Sequence, residues 1–257
     1  RNAPVMVVLG NPPYSGHSQN KGEWIESLMA DYKTSPALKK PAQAKWLSDD
    51  YVKFIRFSQW RIEQTGHGIL AFVTNHSYLD NPTFMDMRHS LMRTFDDIYL
   101  LDLHGNSKKK ETTPDGGKDE NVFDIQQGVA IALLVRKQGA GVVKPRLATV
   151  HRADMYGRRT EKYAALDDID ITTTAWQKLQ PQAPGWLFVA QDTELLDEYE
   201  SGWSIRDIFS PNGDPAPGIV TTHDEFAISW SREEAIDKVE RLLATESEAE
   251  ARGLLRL

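Results

Sequence analysis

Two consecutive prolines placed directly behind a short apolar run constrain this chain more than any other feature. Residues 5–9, Val-Met-Val-Val-Leu, read as a strand buried on both faces, as in a parallel α/β sheet. The strand cannot run on through Gly10, Asn11, Pro12, Pro13 and Tyr14. Proline fixes φ at about −65° and donates no backbone N–H, so the segment must leave the sheet as a rigid turn that presents its carbonyl oxygens. Such a turn stands where open α/β sheets collect ligands, in the crevice beyond the strand tips.

The pattern that follows extends the sheet. Leu47, Tyr51, Ile55 and Ile62 recur at helical spacing beside Phe54 and Trp60, predicting an amphipathic helix over about 46–65 that Gly66 ends. Residues 69–74 read as a second buried strand. Asn81 and Pro82 then supply an N-cap and first-turn pair for a helix with the inward stripe Phe84, Met87, Leu91 and Phe95. Further strands are expected at about 97–103 and 128–135, joined by a long polar loop and no helix. This order predicts an α/β fold: the C-terminal half of a doubly wound, Rossmann-like sheet ending in an antiparallel hairpin.

Gly139, Ala140 and Gly141 ahead of Lys144 and Pro145 mark the expected boundary, giving domains over 1–138 and 139–257. The second is expected to be a mixed α+β segment: a short helix over about 192–199, a loop over 211–217 and a strand pair over 218–230. Ser231 with Glu234 forms a capping box ahead of Ala235, Ile236, Val239, Leu242 and Leu243, and Ser247 with Glu250 opens a last helix.

Composition excludes several chemistries. The 257 residues, 40% hydrophobic and 26% charged, suffice for one substantial core and a smaller unit. Cysteine is absent, which removes disulfides, thiolate nucleophiles and Cys-ligated zinc. The seven histidines show no H-E-x-x-H pattern, so no metal is expected. No apolar run approaches the roughly 20 residues that span a bilayer and no leader pattern is visible, so a cytoplasmic protein is expected. A net charge of −7 argues against a simple basic module, and any DNA contact must be local or shared. Arg1 in place of an initiator Met, with a strand almost at once, suggests a piece of a longer polypeptide.

The turn itself suits one task. An exocyclic amine conjugated to a purine is a poor nucleophile because its lone pair is delocalised into the ring. The Asn11 side-chain oxygen and the Pro12 carbonyl can each accept one N–H, drawing the nitrogen toward tetrahedral geometry and freeing the lone pair. Tyr14 offers a face on which an extruded base can stack. The alternative is an ordinary proline turn with Tyr14 packed as core.

Gly10-Asn11-Pro12-Pro13-Tyr14 resembles motif IV of the amino methyltransferases that use S-adenosylmethionine, in the gamma-type adenine-N6 group. Residues 66–75 resemble the next strand of those enzymes, and residues 121–131, Asn-Val-Phe-Asp-Ile-Gln-Gln-Gly-Val-Ala-Ile, resemble their motif VIII. The loop from Leu103 to Lys118 is similar to that of single-chain restriction-modification enzymes with helicase and methyltransferase parts, of type ISP or type IIG-like. The resemblance implies methyl transfer to adenine N6 of double-stranded DNA, with Asn11, Pro12, Pro13 and Tyr14 catalytic and Phe123 facing Tyr14 across the flipped base. Phe123 also reads as an ordinary apolar residue at a strand's start. The resemblance further implies S-adenosylmethionine as cofactor. No G-x-G-x-x-G loop occurs here, so its main binding loop is expected upstream of Arg1.

Other domains of the same longer polypeptide, helicase or nuclease and recognition, are the implied partners. Residues 218–222 with 226–228 resemble the lead-in to a target-recognition domain, or form a simple strand pair. Lys108, Lys109 and Lys110 are candidate DNA-backbone contacts or a solvated loop, as are Arg152, Arg158, Arg159 and Lys162. Two rival readings stay open. A protein glutamine-N5 methyltransferase resembles the same turn, and a non-catalytic DNA-binding module would keep the fold without the cofactor.

Overall fold

Side-chain alternation along the strands decides how this chain layers. A computed structural model describes residues 4–14, 16, 18–40, 44–139, 147–192, 195, 198–199, 201–204, 208 and 224–255. They fall into two units, Arg1–Gln191 and Asp192–Leu257. In the first unit, strands β1 (Val7–Gly10), β2 (Gly68–Asn75), β3 (Asp97–His104), β4 (Val129–Arg136), β5 (Thr149–Asp154) and β6 (Gln177–Leu179) form one mixed sheet in the order β1-β2-β4-β3-β5-β6. β1 runs parallel to β2, with Gly10 opposite Phe72. β4 inserts antiparallel between β2 and β3, with Asn75 and His104 both opposite Val129. β5 is parallel to β3, and β6 is antiparallel to β5.

Successive strand residues face opposite sides, so β2, β3, β4 and β5 each feed two cores. Leu70, Phe72, Ile98, Leu100, Ala132, Leu134 and Val150 pack with Leu47, Tyr51, Ile55 and Ile62 and with Phe84, Met87, Leu91 and Phe95. Those two quartets are the predicted stripes, but the helices are shorter than expected. α2 (Asp50–Thr65) carries Tyr51, Ile55 and Ile62, with Leu47 in a 3₁₀ turn before it. α3 (Met85–Thr94) carries Met87 and Leu91, with Phe84 and Phe95 flanking it; a shorter helix, α1 (Glu23–Met29), precedes them. Leu101, Leu103, Val122 and Val129 form a second core, joined by Val73, Phe123 and Ile131. Gly66 ends α2 in the left-handed conformation at φ 86°, its N–H on the Ile62 carbonyl. Asn81 caps as expected, its side chain accepting the Thr83 N–H, although the cap opens a short 3₁₀ turn that leads into α3.

Three expectations need correction. Residues 5–9 are not buried on both faces: β1 is an edge strand, and Val7 and Leu9 are 60% and 79% exposed. Apolar composition permits two-sided burial, but packed neighbours have to deliver it. The sheet also continues past the boundary expected at residue 139, because β5, helix α4 (Arg159–Asp168) and β6 belong to the first unit. In the second unit, Phe226 and Ala227 lie in helix α5 (Asp224–Ala227) rather than in a strand pair. Residues 211–223 and half of the helix expected over 192–199 lie outside the described residues.

Helix α6 (Arg232–Leu243) begins where the capping box predicts, Ser231 accepting the Glu234 N–H at 3.1 Å. Helix α7 (Glu248–Leu255) follows, with Ser247 accepting from the Glu250 N–H. No helix among the described residues is long and apolar enough to cross a membrane.

Candidate active site

The strand registers bring several sequence-distant segments to one edge of the sheet. The carboxyl ends of β1, β2, β3 and β5 point the same way, and the amino end of β4 meets them there. The turn after Gly10, residues 75–76, residues 104–106, the approach to Val129 and the chain leaving Asp154 therefore all emerge along one edge.

Within the first of these, Asn11 and Pro13 are exposed, Pro12 is buried and Tyr14 is half-buried. The Tyr14 hydroxyl lies 2.9 Å from Asn11 Oδ1 and 3.1 Å from the Val73 carbonyl on β2. Its ring meets Tyr51 edge-on, centroids 6.1 Å apart at 88°. Burial pushes the Tyr14 phenol up to about 12, so it stays a neutral donor. Asn11 Oδ1, a carbonyl-type oxygen with two lone pairs, spends one on Tyr14 and keeps one for an incoming N–H.

Further along the edge lies a buried ionic network. His76 Nδ1 is 3.0 Å from Asp102 Oδ1, and the Asn106 amide faces His76 Nε2 at 3.1 Å. Arg152 bridges Asp102 and Asp154 at 2.8 and 2.6 Å. His104 Nε2 lies 2.8 Å from Asp154, with Tyr156 stacked on its ring at 4.0 Å. Burial alone would push the His104 imidazole down. Hydrogen bonds to Asp154 and Glu111 and the charges of Asp102 and Asp154 outweigh that and raise it to about 9. Burial likewise pushes Asp102 up, but the His76 hydrogen bond and the charges of His104 and Arg152 hold it at about 2.

Two triplets in this network, His76-His104-Glu111 and Asp102-His104-Asp154, bring ligand-type atoms within 4.8 Å of one another. In the second triplet Arg152 already supplies positive charge to Asp102 and Asp154. In the first the His76 ring is engaged by Asp102 and Asn106, and Glu111 by the Asn106 N–H, so a cation would have to displace existing partners. The geometry is that of a self-satisfied network.

Phe123 is half-buried against the second core and lines an open cleft of about 650 Å³ with Gly105, Asn121, Gln126 and Arg159. Asn121 fixes the local backbone: its Oδ1 accepts the Phe123 N–H, and its amide reaches the carbonyls of Gly105 and Gln127. Gly105, at φ 79°, must be glycine, since a Cβ there would lie 2.4 Å from Asn121 Cα. Asn11 and Tyr14 are thus in direct contact. Phe123 stands along the same edge but packs with the core of the opposite sheet face.

Lys108, Lys109 and Lys110 lie exposed in a turn, with Lys109 paired to Asp80 at 3.0 Å. Three of the other four cations proposed for phosphate are engaged inward. Arg152 and Lys162 are buried in ion pairs, Lys162 with Asp119 at 2.7 Å, and Arg159 bonds backbone carbonyls and Asp124. Only Arg158 of the four is exposed. Basic composition does not say which way a side chain turns.

No protein-family model and no curated protein matches the sequence. Solved structures do. The ATP-dependent Type ISP restriction-modification enzyme LlaBIII bound to DNA is 26% identical with a TM-score of 0.61, over 76% of this chain and 14% of that one. A nuclease-deletion mutant of the Type ISP restriction-modification enzyme LlaGI, in complex with a DNA substrate mimic, is 23% identical with a TM-score of 0.64, over 93% of this chain and 23% of that one. The chain shares its fold with restriction-modification enzymes. The DrdV–DNA complex is also similar, 24% identical with a TM-score of 0.62, over 99% of this chain and 28% of that one. The chain spans 14% to 28% of the length of these proteins.

Sequence reasoning missed the ionic network because its members come from three segments far apart in the chain, at position 76, at 102–111 and at 152–154, which only the sheet brings together. One signal was available. Polar residues alternating through Asp102, His104, Arg152 and Asp154 at strand ends point to a buried polar layer at the sheet's carboxyl edge.

Proposed function

We propose that this chain is the base-handling half of a DNA methyltransferase acting on adenine N6, working within a restriction-modification enzyme. The observation that carries this reading is the Asn11–Tyr14 turn at the carboxyl end of β1, its tyrosine pinned to Asn11 and to β2. The likeness to DNA-bound LlaBIII across three quarters of the chain supports the setting.

Asn11 Oδ1 accepts one N–H of the adenine amine and the Pro12 carbonyl the other, which localises the nitrogen lone pair for attack. Once alkylated, the nitrogen is cationic and passes its extra proton to water, so no strong general base is required. Tyr14 carries the base on its ring, anchored through its hydroxyl, and Phe123 supplies a second aromatic wall. Exposed Lys108 and Lys110 contact phosphate, positioning the duplex without reading its sequence.

S-adenosylmethionine would supply the methyl group as an electrophilic sulfonium carbon. The described residues offer an acceptor for the amine but no Gly-rich cradle for that donor.

The full-length polypeptide, given tritiated S-adenosylmethionine and duplex DNA, should place label on adenine N6, and Asn11→Ala should abolish it. Label on a protein glutamine would favour the rival methyltransferase. Undiminished DNA labelling by Asn11→Ala would sink the assignment of the turn.

A further inference from the structure

Residues 120–123 have no regular secondary structure, so their carbonyls need partners from elsewhere. Helix α4 supplies all of them. Lys162 Nζ donates to the Glu120 carbonyl at 2.7 Å, Arg159 Nε to Asn121 at 2.7 Å, the Tyr163 hydroxyl to Val122, and Arg159 Nη2 to Phe123 at 2.9 Å. Four consecutive carbonyls are thus held by three side chains of one helix.

The anchoring is deep. Lys162 spends its remaining donors on the Leu103 carbonyl at 2.6 Å and on Asp119 at 2.7 Å, and both side chains of that ion pair are fully buried. Asp119 in turn accepts the N–H groups of Gly105 and Gly157. The end of β3, the turn after it and the start of α4 are tied to one carboxylate. Hydrophobic packing is only part of what holds the helix: Leu166 is partly buried against the second core, and Lys162 is the one fully buried residue among its ten. The polar groups of Arg159, Lys162 and Tyr163 are spent on the segment that carries Phe123.

We propose that Arg159, Lys162 and Tyr163 are positioning residues that set the Phe123 ring for the target base, α4 acting as a clamp on its backbone. This rests on the base-handling reading above. The clamp lies in residues beyond the stretch that resembles a methyltransferase, so the site depends on the β5–α4 extension of the sheet.

A double-mutant cycle in the full-length polypeptide tests it, with single-turnover methylation of duplex DNA as readout. Arg159→Ala should slow transfer about tenfold, the scale expected for losing two charge-assisted hydrogen bonds. In a Phe123→Ala background the same change should cost little more, since the ring it positions is gone. A helix that merely stabilises the fold would give multiplying losses. Tyr163→Phe, which removes one bond from a partly exposed position, provides a milder second variant with the same expected pattern. Hydrogen exchange across residues 119–128 should quicken in both variants, independently of activity. Multiplying losses, or unchanged exchange, overturns the clamp while leaving the base-handling reading intact. Wild-type protein that labels no DNA overturns both.

Discussion

The hydroxyl of Tyr14 reaches Asn11 Oδ1 across 2.9 Å, so the residue assigned to carry the base also orients the residue assigned to polarise it. The same hydroxyl lies 3.1 Å from the Val73 carbonyl, which ties both to β2.

Ring and anchor should therefore separate by mutation. Tyr14→Phe keeps the stacking face and loses the anchor, and should slow methyl transfer several-fold. Tyr14→Ala loses both. With base stacking worth about 1–3 kcal/mol, it should weaken binding of duplex carrying a fluorescent base analogue at the target by roughly tenfold to a hundredfold. Equal losses in the two variants would argue against stacking.

Removing one partner of the Lys162–Asp119 pair strands a charge in the core. Lys162→Met should lower stability by about 3–5 kcal/mol, read as a drop in the urea midpoint. Adding Asp119→Leu should recover part of it, because an apolar pair leaves no uncompensated charge. A double variant no more stable than Lys162→Met would mean that the Asp119 contacts to Gly105 and Gly157 dominate.

The His104 network should make stability fall on the alkaline side. Its imidazole is raised from an ordinary 6.5 to about 9 in the folded chain, so the folded state holds a proton that the unfolded state releases. That contribution is complete below pH 6.5 and is lost as pH rises through about 9. Asp102 acts oppositely: held at about 2, it stabilises above pH 3.8 and loses its contribution as pH falls through about 2. Urea midpoints followed from neutral to alkaline pH should decline, and His104→Gln should flatten the decline. An unaltered slope in that variant would place the titrating group elsewhere.

Gly128 is small for a steric reason. A Cβ there would stand 2.2 Å from the His76 ring, which packs directly on this backbone while the His76 N–H bonds the Gly128 carbonyl. Gly128→Ala must push the ring off Asp102, at a cost of about 1–3 kcal/mol typical of overpacking. Thermal unfolding should register the loss. A crystal structure of the variant with His76 unmoved would contradict it.

Local signals in the amino-acid sequence were enough to locate β2, β3, β4, α2 and α3, because each rests on a periodicity that one face of a core must satisfy. The Gly66, Asn81 and Ser231 caps were legible for a similar reason: a helix end needs a partner within a few residues. The rigid turn at Asn11 to Tyr14 follows from proline alone.

Tertiary structure decided what depended on distant partners. Strand β5 carries His151, Arg152 and Asp154, which are satisfied by Asp97, Asp102 and His104 of β3, so it shows no apolar alternation to read. Helix α4 fully buries a lysine and packs a single leucine, Leu166, only in part, so its inward stripe is invisible to a hydrophobic count. Whether Val7 and Leu9 are covered, and whether Arg152, Arg159 and Lys162 face solvent or carbonyls, depends on neighbours that only the folded sheet assembles. Local chemistry sets an element's kind. The partners of its polar atoms are set by packing, since a buried charge is stable only where the chain elsewhere supplies its counterpart.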